Sequence, residues 1–183
     1  MGAFGRNLVP SSTDRENRAP RVLMRSRRAM QATLSTLPTS IAGGAVTAFT
    51  LTFTNLIAGA ASGAAALPNN TRVRVGMLGS TITTDAGGVP FLQIQSAQLQ
   101  TDAGAICQPL STGSPLGLAN GAALGGELDF DSNDLQYLGG SAVSVSIILT
   151  IKNSDSGAHS LNAFTAALFV ETVQYDQPLQ GEP

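Results

Sequence analysis

Residues 141–153 read SAVSVSIILTIKN. Val143, Val145, Ile147, Leu149 and Ile151 take every second position, which is the period of a strand with one buried face. Working outward, the same alternation recurs. In AFTLTFTNL (48–56), Phe49, Leu51 and Phe53 alternate with Thr50, Thr52 and Thr54. In TRVRVGMLG (71–79), Val73, Val75 and Met77 oppose Arg72 and Arg74. In PFLQIQSAQLQT (90–101), Leu92 and Ile94 share one parity while Ala97 and Leu99 share the other, which predicts a bulge near Ser96. GELDFDSN (126–133) alternates Leu128 and Phe130 with Glu127, Asp129 and Asp131, and NAFTAALFVETVQYD (162–176) puts Phe164, Ala166, Leu168 and Val170 on one side.

Turn signals separate these runs: Pro68-Asn69-Asn70, Asp85-Ala86-Gly87-Gly88 and SDSGAHS (154–160). The Gly/Pro/Ser-rich stretch 104–126 reads as an extended loop with one short strand. Six to eight alternating strands with no long helix predict an all-β fold, an antiparallel β-sandwich or jelly-roll barrel. The body spans 41–177, preceded by an N-terminal arm (1–40) and followed by a tail (178–183). Pro10, Pro20 and Pro38 interrupt the arm. Between the last two a short helix is expected, with Arg21, Arg25 and Arg28 on one face.

Charge divides the chain. Only 12% of its 183 residues are charged, about half the usual share. Up to position 28 there are seven arginines and two acids, a balance of +5, and beyond it three basic residues and ten acids, a balance of −7. Such asymmetry marks a segment with its own partner. Arginine forms bidentate pairs with carboxylates and phosphates, so Arg15, Arg18, Arg21, Arg25, Arg27 and Arg28 are the candidate contact residues.

The acidic run ELDFDSND (127–134) imitates the start of a calcium loop, but its sixth position is Asp134 instead of Gly and its twelfth is Gly140 instead of Glu. Glu127, Asp129, Asp131 and Asp134 therefore have three readings: a solvated edge that resists wrong pairing, a weak Ca²⁺ site at a subunit contact, or a docking patch for a neighbouring arm.

Other chemistry is sparse. The uncharged stretch 41–67 imitates a membrane span, but its Phe/Leu–Thr alternation makes it a strand, and it lies too far along the chain for a signal peptide. With one cysteine, Cys107, and one histidine, His159, an intrachain disulfide is excluded and a zinc site is not expected. His159 lies in a polar turn near Asp155 and reads as plain surface; no G-x-S-x-G elbow and no nucleotide-binding glycine motif accompanies it. No enzyme activity, cofactor or small-molecule substrate is expected. The Asn69-Asn70-Thr71 sequon reads as coincidental without a signal peptide, and the lack of Trp weakens a sugar-binding reading.

An Arg-rich arm ahead of an antiparallel β-body with a charge-poor Ser/Thr/Gln/Ala/Gly surface resembles the small jelly-roll structural proteins of virions: capsid, cement or decoration proteins of bacterial and archaeal viruses. The resemblance is one of architecture. It implies a virion location, with copies of the same chain and other virion proteins as partners and an arm facing the particle interior. Seven arginines without a lysine are few for packaging a genome. The arm is expected to clamp a neighbouring subunit, with nucleic acid or the headgroups of an internal membrane as second partners. The other class left open is a non-viral β-sandwich binding module of adhesin or carbohydrate-binding type.

Overall fold

The computed structural model describes residues 19–56, 70–85, 91–101, 107–112, 124–130 and 144–176. Arg15, Arg18, Asp131, Asp134 and the tail lie outside them. Eleven strands are seen among these residues: β1 (Val22–Thr33), β2 (Thr39–Ile41), β3 (Val46–Phe53), β4 (Thr71–Thr84), β5 (Leu92–Thr101), β6 (Cys107–Pro109), β7 (Ser111–Thr112), β8 (Leu124–Gly125), β9 (Glu127–Phe130), β10 (Val145–Asn153) and β11 (His159–Tyr175).

Two antiparallel sheets form a sandwich. One has the order β1-β11-β4-β9, with β2 also pairing β11; the other has the order β3-β10-β5-β6. The chain crosses between them repeatedly: β1 in the first, β3 in the second, β4 back in the first, β5 and β6 in the second, β9 in the first, β10 in the second, β11 in the first. Eight principal strands in this order make a jelly roll.

The alternation of residues 145–153 does what its period requires. Val145, Ile147, Leu149 and Ile151 are fully buried, flanked by Phe49, Leu51 and Phe53 of β3 and by Leu92, Ala97 and Leu99 of β5. Facing them from the other sheet are Val73, Val75 and Ile82 of β4 and Leu161, Phe164, Ala166, Leu168 and Val170 of β11. The parity break in β5 is a bulge at Gln95, between Ile94 and Ser96, opposite Thr150 and Ile151 of β10. Among the described residues no helix is long and apolar enough to cross a membrane.

Two expectations change. The helix placed between Pro20 and Pro38 is instead β1, which runs antiparallel to β11 from Val22–Tyr175 to Thr33–Thr165. The cause is tertiary. An edge strand buries few side chains, here only partly, at Arg28, Met30 and Ala32, so its period is faint in the sequence while its backbone is satisfied by β11. Nor do Arg21, Arg25 and Arg28 share a face. Arg25 reaches Glu171 on the outer surface, whereas the Arg28 guanidinium donates to the Asn55 carbonyl. Asn55 lies just past β3 at φ 58°, a left-handed conformation that asparagine tolerates. In the stretch 104–126, the described parts hold β6, β7 and β8 instead of a single short strand.

Because Leu149 is fully buried between β3 and β5, Leu149→Ala should lower unfolding free energy by about 2–5 kcal/mol in urea titration. A loss below about 1 kcal/mol would mean that the strand is not central to the core.

Candidate functional site

Among the described residues, charge gathers on the outer surface of the β1-β11-β4-β9 sheet. Inward parity in β4 and β11 is taken by the core, so their outward parity is free for other residues. The charged residues of this surface are Arg25 and Arg27 on β1, Glu171 on β11, Arg72 and Arg74 on β4, and Glu127 and Asp129 on β9. Read across the four strands in spatial order, the sign alternates: positive, negative, positive, negative. Cross-strand neighbours of opposite sign stabilise a sheet and like signs oppose it.

The contacts follow that order. Arg25 Nε lies 3.3 Å from Glu171 Oε1. Arg72 lies 3.4 Å from Asp129 Oδ2, and Arg74 is bonded to Glu127 and lies 3.8 Å from Asp129 Oδ1. The bond to Glu127 raises the pKa of Arg74, so the guanidinium is charged at every accessible pH. Individually such exposed pairs stabilise a fold only slightly. Their arrangement fixes where each charge points.

The ring of Phe169 sits within the ladder. Although on the outer face, it is only 7% exposed. The Arg27 guanidinium carbon lies 4.3 Å from the ring centroid and that of Arg74 5.9 Å from it, both within cation–π reach. The ring lies over Gly76, where an added Cβ would come within 2.4 Å of Phe169 Cε1. Only glycine fits beneath it. Beside the ring, Arg25, Arg72, Arg74, Asp129, Glu171 and Tyr175 line a shallow depression of about 200 Å³.

The expected site residues thus separate. Arg25, Arg27, Glu127 and Asp129 come to one surface, while Arg28 turns to the sandwich edge and Arg21 is tied to the end of β11, where its backbone N–H donates to Asp176 Oδ1 at 2.8 Å. Glu127 and Asp129 are half-exposed and held by arginines. Sequence reading missed Phe169 and Glu171 as members of the ladder. The legible signal was Gly76, since glycine inside a strand pattern marks a close approach.

At the far end of the same sheet, His159 is not plain surface. Its side chain is 18% exposed, with Nε2 2.9 Å from Asp155 Oδ2 and Nδ1 3.3 Å from Asp85 Oδ1. The ring stacks on Phe91 with centroids 4.6 Å apart. Both carboxylates are themselves fixed: Asp85 accepts from Ser160 N and Asp155 from Ser156 N. Behind them the buried Asn153 side chain donates to the carbonyls of Ile41 and Gly157 and accepts from Asp155 N. Each imidazole nitrogen faces a carboxylate, so the ring is set to be a cation and not a base for a neighbouring hydroxyl.

The hydrogen bond to Asp155, then the contact with Asp85, raises the His159 pKa above its ordinary 6.5; the His159 bond likewise lowers Asp155 below 3.8. A raised histidine pKa gives stability that is complete below 6.5 and lost as pH rises through the folded value. A lowered aspartate pKa gives stability that is present above 3.8 and lost as pH falls through its folded value. The clasp is therefore strongest in the mildly acidic range. The urea midpoint of the wild type should be higher at pH 6 than at pH 8, and His159→Gln should reduce that difference. An equal pH dependence in the variant would show that the clasp contributes nothing.

No family model matches the chain, and no curated protein matches it. Among solved structures, it is similar to the infectious bursal disease virus VP2 subviral particle, with a TM-score of 0.39 and 13% identity over 83% of this chain and 38% of that one. It is also similar to the T=1 particles derived from that virus, with a TM-score of 0.41 and 14% identity over 85% of this chain and 37% of that one. The chain spans well under half the length of those proteins.

Proposed function

We propose that this protein is a structural subunit of a viral particle, of capsid, cement or decoration type, that assembles with copies of itself through its jelly-roll body. The observation that carries this reading is the interleaved charge ladder on the outer face of the β1-β11-β4-β9 sheet. Rows of both signs, held in register by backbone pairing, present a surface that one matching surface fits and most others do not.

The same interleaving favours protein over nucleic acid or lipid headgroups as the partner. A polyanion laid on this face meets Glu127, Asp129 and Glu171 as well as the arginines. A second copy supplies both signs in the order required. Arg25, Arg27 and Arg28 act here from a strand of the body and Arg21 from the residue just before it, and Arg15 and Arg18 extend the basic segment ahead of them. Particle formation places the chain in the virion, with its own copies and other virion proteins as partners and no cofactor.

Light scattering and electron microscopy of the full chain test this. Wild type should form defined oligomers or particles whose assembly weakens with added salt, because exposed charges are screened beyond about 8 Å at physiological ionic strength. Arg25→Glu/Arg27→Glu should remain monomeric with an unchanged β-sheet circular dichroism spectrum. A wild-type monomer at all concentrations, or a double variant that assembles normally, would overturn the proposal.

A further inference from the structure

The sheet order has two ends, and they carry opposite charge. β1 is one edge and β9 the other. Among the described residues no strand pairs with the outward edge of either. An unpaired edge presents free N–H and C=O groups to a further strand. The charge alternation states which strand each edge accepts. Beyond β1, with Arg25 and Arg27, the next row should be negative; beyond β9, with Glu127 and Asp129, it should be positive.

Direction agrees with charge. Each neighbour in the order β1-β11-β4-β9 is antiparallel to the next. A second copy set beside the first in the same orientation therefore brings its β9 antiparallel to β1. With Arg25 opposite Asp129 of the next copy, Arg27 falls opposite Glu127, since antiparallel strands advance one residue against one. Symmetric alternatives fail on sign: β1 against β1 opposes arginines, and β9 against β9 opposes carboxylates. Arg27 also has no carboxylate partner among the described residues, only the Phe169 ring. Leu23 and Met24, 65% and 55% exposed near the start of β1, add apolar area beside the pairing register.

From this we infer that copies join head to tail by β1–β9 pairing, the outer sheet of one continuing into the outer sheet of the next. The inference rests on the assembly reading above and specifies its interface. A head-to-tail contact uses two different surfaces, so it closes into a ring or runs on as a filament.

Charge exchange tests it. One variant carries Arg25→Glu/Arg27→Glu and another Glu127→Arg/Asp129→Arg. Each alone opposes like charges at the junction and should not assemble. Mixed in equal amounts, both junctions regain opposite signs, so alternating oligomers should form. Circular dichroism checks that each is folded.

Should either variant fail to fold, amide exchange on the unmodified full chain decides. Alternate N–H groups of an antiparallel edge strand point away from the sheet. On assembly those of β1 and those of β9 should slow together. Restored assembly in the mixture, or joint protection of both edges, supports the pairing. Assembly with no protection at β1 and β9, or folded variants that fail to assemble when mixed, overturns it while leaving the assembly reading intact. A wild-type chain that never assembles overturns both.

Discussion

The outer surface depends on the two-sided pairing of β11. This strand runs from His159 to Tyr175, with β1 and β2 on one side and β4 on the other. Its inward residues Phe164, Ala166, Leu168 and Val170 bind the sheet to the core. Its outward residues Phe169 and Glu171 are the link between the arginines of β1 and those of β4. Apolar burial supplies most of the stability of such a sandwich, and the register it imposes is what turns scattered charges into an ordered ladder.

That order carries information that individual ion pairs do not. An exposed pair contributes little on its own. Four strands with alternating sign define a direction across the sheet, and a direction distinguishes one edge from the other. The Phe169 ring over Gly76, with Arg27 and Arg74 beside it, lends the surface a rigid centre. At the other end of β11, Asn153 and the His159 clasp join the β10–β11 turn to the loop before β3 and to the end of β4. The close approach of Gly43 to the Ser156 carbonyl, 2.1 Å from where a Cβ would stand, shows how tightly that corner is packed. The two ends of β11 thus have different chemistry: a charge ladder at one and a proton-sensitive clasp at the other.

Much of the fold was legible because core strands of this chain alternate cleanly. Residues 145–153 are the clearest case, and the parity break near Ser96 located a real bulge. β1 was not legible for a physical reason. As an edge strand it buries little side-chain area, and its stabilising bonds are backbone bonds to a strand at the other end of the chain. Closely spaced arginines then look like an arm, when Arg25 and Arg27 are one row of a sheet and Arg28 takes the opposite parity of the same strand. The candidate site was half legible for the same reason. Arg25, Arg27, Glu127 and Asp129 could be named from charge alone. Phe169 and Glu171 take their meaning from cross-strand register, which composition does not contain, and Gly76 was the one sequence mark of it. His159 looked like surface because its two carboxylate partners come from separate turns.

The central claim is that the arginine segment is a strand of the body, and trypsin tests it directly. Cleavage needs an extended, unpaired chain, so bonds within a paired strand are cut only when the strand opens. In dilute monomeric protein under native conditions, cleavage after Arg25, Arg27 and Arg28 should be as slow as cleavage after Arg72 and Arg74 in β4, as read by mass spectrometry. Immediate cutting after Arg25, Arg27 and Arg28, with the rest of the chain intact, would contradict the account.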